Sequence, residues 1–225
     1  MKPNQWVPFM LMGIILGLVS CATSRSEMAG ASGLEAGKSI GAEPVDVLFV
    51  SRHLVQTKGL DAVPKLQNRY RIQDGYDDML LDATREFSNL RRYAAFTEFS
   101  SDMSDPERIA LKDSLMAHYE TRIVMEWRKE RVFANYFLGT IGSVITLALV
   151  PMPYSYDYHL EVSVFGGDDK LKNSYTRSAK TTKWVQALLL PVYPFHTEKR
   201  KTEELYVEFL HDVFRQIDHD GVLRD

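Results

Sequence analysis

Residues 132–153 form an apolar run without a charged side chain, and this run limits the folds that the chain can adopt. As a helix rising about 1.5 Å per residue, the run is long enough to cross a hydrocarbon layer of about 30 Å. Its two glycines, Gly139 and Gly142, permit a bend or close packing. Three structures stay open: buried core or subunit interface, a hairpin that dips into a membrane, and a transmembrane helix.

A second charge-free run covers residues 184–195 and contains Pro191 and Pro194. Proline lacks a backbone donor and interrupts helices, so this shorter run cannot cross a membrane as a helix. We expect it to be buried or interfacial.

The sequence around the first apolar run alternates with a period of two, which is typical of β-strands. Residues 119–128 place apolar and charged side chains on opposite faces of a strand. Residues 158–164 repeat the alternation, a turn follows at 166–169, and residues 171–182 return as a polar edge strand. These segments predict a strand followed by a hairpin.

The remaining elements are predicted from composition and from helical spacing of apolar side chains. Asp105 and Pro106 have the residue types of a helix start. The predicted strands cover residues 45–51 and 93–99, and the predicted helices cover residues 76–91, 105–116 and 197–218.

The order strand, helix, strand, helix, strand, hairpin, helix predicts an α/β fold with a mixed sheet covered by helices. Hairpin geometry returns residue 182 beside residue 156. If the strand near residue 128 ends there too, both apolar runs are insertions at one end of the sheet. A single membrane crossing by residues 132–153 would divide that sheet.

The flanks of the two apolar runs are rich in basic and aromatic side chains. Such residues favour the headgroup level of a bilayer, where basic groups can pair with lipid phosphates. The candidate membrane or interface contacts are Trp127, Arg128, Lys129, Arg131, Tyr136, Tyr154, Trp184 and Tyr193.

The N-terminus combines Lys2, an uncharged stretch at residues 7–18, and the sole cysteine, Cys21. The run Leu18-Val19-Ser20-Cys21 resembles the lipobox of bacterial lipoprotein precursors. The resemblance implies that residues 1–20 are a signal peptide and that lipid is attached to Cys21. Because Ala22 stands where many inner-membrane lipoproteins carry aspartate, it also implies the periplasmic face of the outer membrane, with the inner membrane as alternative.

Residues 21–44 are rich in Ala, Ser and Gly without apolar periodicity, which predicts a lipidated flexible tether. Residues 45–225 are then expected to form one α/β domain. Removal of residues 1–20 leaves 26 basic and 30 acidic side chains, a net charge of −4, so nucleic acid is not an expected partner.

The order of the predicted elements also resembles the N-terminal domain of TolB and the small α/β domains of envelope lipoproteins of the PelC type. This resemblance covers at most residues 45–218, and the two apolar insertions depart from it. It implies an α/β fold in the cell envelope and no particular reaction.

No motif indicates catalysis, a metal or a cofactor, so we expect no catalytic residue, no metal site and no cofactor. The six histidines lack the spacing of a helical zinc site; they are at positions 53, 118, 159, 196, 211 and 219.

The sequence therefore predicts a nonenzymatic, lipid-anchored periplasmic protein that is a structural or accessory component of an envelope assembly. Its expected partners are membrane lipid through acylated Cys21 and either a second copy or another envelope protein. Two alternatives stay open: an inner-membrane protein spanned by residues 132–153, and a hydrolase or ligand-binding lipoprotein that uses residues such as His53 or His118.

Overall fold

The computed structural model describes residues 23–35, 43–147, 149–150, 152–185 and 198–224. Within these ranges lie seven strands and four α-helices. The strands are β1 (Ser24–Arg25), β2 (Val45–Lys58), β3 (Lys65–Leu66), β4 (Leu90–Glu98), β5 (Thr121–Val132), β6 (Met152–Phe165) and β7 (Leu171–Val185). The helices are α1 (Tyr76–Ala83), α2 (Pro106–His118), α3 (Phe133–Ile145) and α4 (Glu198–Asp220).

All seven strands belong to one mixed sheet with the spatial order β1-β7-β6-β5-β2, and β3 and β4 both pair with β2. Strand β2 is parallel to β4 and β5, whereas β5, β6 and β7 pair antiparallel in succession. The predicted α/β class, the mixed sheet and the hairpin of β6 and β7 are confirmed.

One end of the sheet collects the ends of β2, β5 and β7 and the beginning of β6, and it is called the α3 end below. Lys58 pairs there with Val132, and Met152 pairs with Val185. Residues 132–153 therefore leave and rejoin the sheet at one end, as predicted. The second apolar run continues from Val185, and its residues 186–195 lie outside the described residues.

The inner face of the sheet, which α1 and α4 cover, carries the main core. Alternation along the strands directs Phe49, Ile123 and Leu160 to this face, where they are fully buried. Helix α4 packs against them with a stripe at helical spacing; its fully buried members are Leu205, Phe209, Leu210, Val213, Phe214 and Ile217. Each such side chain contributes about 1.5–3 kcal/mol by leaving water, so α4 holds the inner layer in place.

The outer face is covered by α2 only near β2 and β4, where Leu48, Val50 and Phe96 form a small second core. Helix α2 begins as predicted, because the Asp105 carboxylate accepts hydrogen bonds from the backbone N–H groups of Glu107 and Arg108. Charged side chains occupy part of the remaining outer face.

Helix α1 is shorter than predicted. Instead of continuing to residue 91 it ends at Ala83, where Thr84 donates its hydroxyl to the carbonyl of Leu81 at 2.7 Å and a 3₁₀ turn follows. Phe87 still fills the core, with its ring centroid 4.9 Å from that of Phe214. Phe87 lies at a helical spacing from the apolar residues of α1, but it is buried from the loop before β4 and not as part of a continuing helix.

The flexible tether predicted for residues 21–44 is wrong for residues 23–35. Ser24 pairs with Thr182, and the Ala29 and Ser178 backbones exchange two hydrogen bonds. This pairing satisfies polar groups on the edge of β7 that would otherwise face water. Because backbone groups make this pairing, it leaves no periodic pattern in the sequence from which it could be predicted.

Helix α3 excludes a membrane span and burial in the core for residues 132–153, whereas a subunit interface stays open. It has 13 residues and a length of about 20 Å, and none of the described helices is long and apolar enough to cross a membrane. The transmembrane alternative is wrong, because β5 and β6 on either side of α3 are neighbours in one sheet. Burial in the core is wrong as well, since Gly139 is the only buried residue of the helix.

The N-terminal segment is held to α4 through Asp212. Its carboxylate accepts from Arg177 Nε at 2.6 Å and from the Ser32 hydroxyl at 2.8 Å. Burial opposes ionisation of Asp212, but Ser32 and Arg177 outweigh it and lower the pKa of this carboxyl. The Arg177 side chain is 4% exposed, so it depends on this partner.

Asp212→Ala is expected to lower the free energy of unfolding by about 3 kcal/mol, because it leaves the buried Arg177 charge without its carboxylate. Urea unfolding followed by circular dichroism measures this change. The control is Glu204→Ala on the exposed side of α4, which removes surface ion pairs and should cost at most about 0.5 kcal/mol. Equal losses in the two variants would contradict the structural role of Asp212.

Candidate membrane-contact surface

Helix α3 exposes an apolar surface at the α3 end of the sheet. Leu138 is 64% exposed and Ile145 is 76% exposed. The other exposed apolar side chains of the helix and the turn after it are Phe133, Tyr136, Phe137, Ile141, Val144, Leu147, Leu149 and Val150. A contiguous apolar surface of this kind marks a contact with a membrane, a partner or a ligand.

A narrow glycine-containing face fixes α3 on β6. A side chain at Gly139 would meet the Tyr154 ring at 3.5 Å, and one at Gly142 would meet the end of Met152 at 2.6 Å. The Ser143 and Tyr154 hydroxyls lie 3.2 Å apart, within hydrogen-bond distance. The two glycines therefore let the helix approach the strand closely, and its larger side chains point away from the protein.

Two neighbouring segments extend this surface. The loop after β2 exposes Leu60 and Val63, and a Cβ on Gly59 in the same loop would lie 3.7 Å from Cβ of Phe133. Trp184, next to the last residue of β7, is 39% exposed. The term "apolar end" denotes α3, Leu147, Leu149, Val150, Leu60, Val63 and Trp184.

Along the inner face of the sheet, the side chains are apolar in the core and become basic and aromatic near α3. Along β5 the alternation that buries Trp127 also directs Lys129 and Arg131 to this face, opposite Val55 and Thr57 of β2. Arg131 Nε donates to the Thr57 hydroxyl at 3.1 Å, and its guanidinium lies 4.3 Å from the Tyr136 ring centroid. Arg131 thus links β5 to the first turn of α3.

Glu198 joins the first residue of α4 to the sheet. Its two carboxylate oxygens lie 3.3 Å from the ammonium groups of Lys129 and Lys183, one oxygen to each. Burial opposes ionisation of Glu198, but the two lysines outweigh it and lower its pKa. Burial also opposes charge on Lys129, yet the neighbouring Tyr158 and Glu198 raise its pKa, so both groups are charged at neutral pH.

A cleft of about 610 Å³ opens on the inner face beside this ion pair. Tyr158 and Tyr206 contribute to its lining, and both are buried residues of the core. Four basic and two acidic side chains also line it: Arg71, Lys129, Arg131, Lys199, Asp74 and Glu198.

The aromatic core beside the cleft encloses a buried histidine. Trp127 stacks on Tyr206 with ring centroids 3.9 Å apart, and His53 stands edge-on to Tyr76 at 4.6 Å. The Tyr206 hydroxyl lies 3.4 Å from His53 Nδ1. Burial lowers the pKa of His53 to about 3, because the protonated ring would lose its hydration. His53 is therefore a neutral core residue.

The N-terminal segment runs along β7 in a direction that leads its beginning towards the apolar end. Strand β1 runs antiparallel to β7, so the chain ahead of Ser24 points in the direction in which β7 continues to Trp184. Cys21 itself lies outside the described residues, but it precedes Thr23 by two residues. Chain length limits that separation to about 7 Å.

The predicted contact residues fall into three groups. Lys129, Arg131, Tyr136, Tyr154 and Trp184 do meet at the α3 end. Tyr193 and Cys21 lie outside the described residues.

Trp127 and Arg128 form the third group, because they are not part of the surface at the α3 end. Trp127 is 2% exposed in the core, so its prediction as an interface contact is wrong. The alternation of β5 directs Arg128 to the outer face, where it pairs with Glu126 at 2.6 Å. In both cases the position of the residue along β5 decides which face of the sheet its side chain occupies. Closeness in sequence to an apolar run does not.

Leu60 and Val63 were not predicted from the sequence. The isolated apolar residues of a polar loop carry no period. The cleft residue Tyr156 is two residues before Tyr158, so the alternation of β6 places both on one face.

The candidate catalytic and metal-binding side chains are dispersed. His53 is buried in the core, whereas His118 is exposed at the end of α2, just before β5 begins. Among the described residues, no group of three or more His, Cys, Asp or Glu side chains is placed to hold a metal ion.

No known protein family and no curated protein matches the chain. Among solved structures, a neuraminyllactose-binding hemagglutinin homologue from Helicobacter pylori is similar, with a TM-score of 0.35, 8% identity, and coverage of 83% of this chain and 90% of that chain. The PelC dodecamer from Paraburkholderia phytofirmans is similar with a TM-score of 0.30, 8% identity, and coverage of 87% and 98%. The resemblance to PelC thus extends to a weak structural similarity and to no shared sequence family.

His53 makes stability depend on pH. The ordinary pKa of histidine is 6.5 and that of folded His53 is about 3, so the unfolded chain binds one more proton between these values. The free energy of unfolding should therefore fall by about 1.4 kcal/mol for each pH unit below about 6.5, in addition to the effect of the carboxyl groups.

His53→Leu is expected to remove this one-proton contribution from the slope of unfolding free energy against pH. The exposed His118→Leu is the matched control and should keep the wild-type slope. A wild-type slope in His53→Leu would show that the buried ring does not link stability to pH.

Proposed function

We propose that this chain is a nonenzymatic, lipid-anchored protein on the periplasmic face of the outer membrane, where it serves as a structural or accessory component of an envelope assembly. The proposal assigns two membrane contacts to the protein, acylated Cys21 and the apolar end. The observation that carries it is the exposed apolar helix α3 at the same end of the sheet to which β1 leads the N-terminal chain.

The dimensions of α3 suit a helix lying in a membrane interface. Its length of about 20 Å is too short to cross the hydrocarbon, while its exposed apolar side chains favour insertion to a depth of about 5–10 Å. Trp184 and Tyr136 are exposed at its margin, where amphipathic rings favour the headgroup level.

Two contacts stabilise the membrane-bound orientation more than either does alone. With Cys21 held in the bilayer, the apolar end is at a high effective concentration next to the lipid surface. Removing α3 from water then needs no further loss of translational freedom. A second copy of the chain is the competing occupant of the same surface.

Lipid attachment is tested by growing cells with an alkyne analogue of palmitate and detecting label on the purified protein. Wild-type protein should carry label and lack residues 1–20, because cleavage follows acylation in the lipoprotein precursors that it resembles. Cys21→Ala should be unlabelled and retain residues 1–20. Label on Cys21→Ala would contradict the assignment, since Cys21 is the sole cysteine.

The contact of α3 with lipid is tested with Trp184 in mature protein reconstituted into vesicles with brominated acyl chains. The mature chain has two tryptophans, Trp127 in the core and Trp184 at the apolar end, so quenching should affect the Trp184 component only. Leu138→Lys with Ile145→Lys should abolish most of that quenching, because buried lysine charges are costly in lipid.

The matched control is Leu171→Lys, which places a lysine at an exposed apolar position at the opposite end of β7 and should leave the quenching unchanged. The surface would be assigned to self-association instead by two results together. Wild-type protein would be unquenched, and it would elute from gel filtration in detergent as an oligomer that the double lysine variant disrupts.

A further inference from the structure

We propose that the cleft beside α3 binds the phosphate group of an anionic lipid headgroup. This inference rests on the proposed function, because it assigns a ligand to the membrane that α3 contacts. The residues that carry it are Arg71, Arg131, Lys129 and Gln73, which line one cavity of about 610 Å³.

The two arginines are not neutralised within the described part of the chain. Arg131 has no carboxylate partner there, and its two terminal nitrogens make no hydrogen bond to described residues. The Arg71 side chain is exposed and makes no ion pair with described residues. A guanidinium presents paired N–H donors that match two phosphate oxygens, so these side chains are suited to such a ligand.

The acidic side chains of the cleft do not cancel this charge. Asp74 pairs with Lys199 at 2.7 Å, and Glu198 is shared between Lys129 and Lys183 at 3.3 Å. Among the side chains that line the cleft, Asp74 and Glu198 thus offset Lys199 and Lys129, and the charges of Arg71 and Arg131 remain. The cleft is therefore positive after its internal ion pairs are formed, in a chain whose net charge is −3.

The cleft also contains an uncharged donor without a partner. The side-chain nitrogen of Gln73 is buried and makes no hydrogen bond within the described residues. A buried donor without an acceptor costs about 1–3 kcal/mol, and turning the amide towards a phosphate oxygen in the cleft would relieve that cost.

The position of the cleft distinguishes a lipid from a soluble anion. Arg131 lies two residues before Phe133, the first residue of α3, and Tyr136 from the first turn of the helix lies against its guanidinium. A phosphate held by Arg131 would thus sit at the base of the exposed apolar helix. A headgroup in the cleft allows the acyl chains of the same molecule to lie along α3, whereas free phosphate would use only the basic half of this surface.

The test uses mature wild-type protein in nanodiscs of brominated phosphatidylcholine, alone or mixed with phosphatidylglycerol, and it follows quenching of Trp184. Phosphatidylglycerol should raise the equilibrium constant for docking of the domain on the bilayer. Removal of each arginine should lower that constant roughly five-fold. Arg71→Gln with Arg131→Gln should respond to phosphatidylglycerol no more than to phosphatidylcholine.

Arg92→Gln is the matched control, because Arg92 is an exposed arginine of β4, which begins at the opposite end of the sheet. It should keep the wild-type response to phosphatidylglycerol. An equal loss in Arg92→Gln and in the cleft variant would overturn the cleft assignment in favour of general charge attraction.

The remaining outcomes separate the two proposals. Equal quenching of wild-type protein in both lipids overturns the phosphate site and leaves the α3 contact standing. No quenching in either lipid overturns both. A last outcome is that wild-type protein in detergent binds inorganic phosphate saturably, that the double variant of Arg71 and Arg131 does not, and that phosphatidylglycerol has no effect in nanodiscs. This outcome assigns the cleft to free phosphate and overturns the lipid headgroup as its ligand.

Discussion

The packing of α4 on the inner face of β5 and β6 holds the main core together and positions the cleft beside it. Its stripe from Leu205 to Ile217 is buried against Ile123, Met125 and Leu160, and Tyr206 stacks on Trp127. Six fully buried apolar side chains on this helix contribute roughly 9–18 kcal/mol before the entropy of ordering is subtracted. The stripe fixes the rotation of α4 about its axis, and that rotation brings Glu198 to Lys129 and Lys183.

The boundary between core and cleft lies along single strands. On β5 the inward positions run from Ile123 through Trp127 to Lys129 and Arg131, so one alternation supplies both the core and the basic wall. The change occurs where the aromatic stack of Trp127 and Tyr206 closes the core. Beyond it, charged groups are tolerated because Glu198 and the tyrosines stabilise them and because the cleft is open to water.

Much of the fold could be predicted because its strands and α4 are half buried. Half burial imposes a period of two or 3.6 on the sequence, as in β5, the hairpin of β6 and β7, and the last helix. Residues 23–35 could not be predicted, because they join the sheet through backbone groups. The end of α1 was missed because Phe87 kept a helical spacing while serving the core from a loop.

The surface was predicted in part for the same reason. A charge-free run such as residues 132–153 is visible in the sequence, but its exposure is decided by what covers it. Gly139 and Gly142 allow α3 to lie close to β6 on one narrow face, and no described element covers its opposite side. The grouping of Arg131 with Tyr136 and of Arg71 with Lys129 depends on strand pairing and on a distant loop, which local periodicity does not encode.

The two proposed membrane contacts constrain each other through strand direction. If β1 ran parallel to β7, the chain before Ser24 would leave the sheet at the end opposite to α3, and a short connection to Cys21 would draw the wrong end towards the bilayer. The antiparallel pairing of Ser24 with Thr182 instead directs this chain towards the end that carries Trp184 and α3. Because residues 23–35 are held by β7 and by Asp212, this direction is a property of the folded domain. A short link from the domain to an acylated Cys21 then restricts the domain to orientations in which the apolar end and the cleft face the lipid.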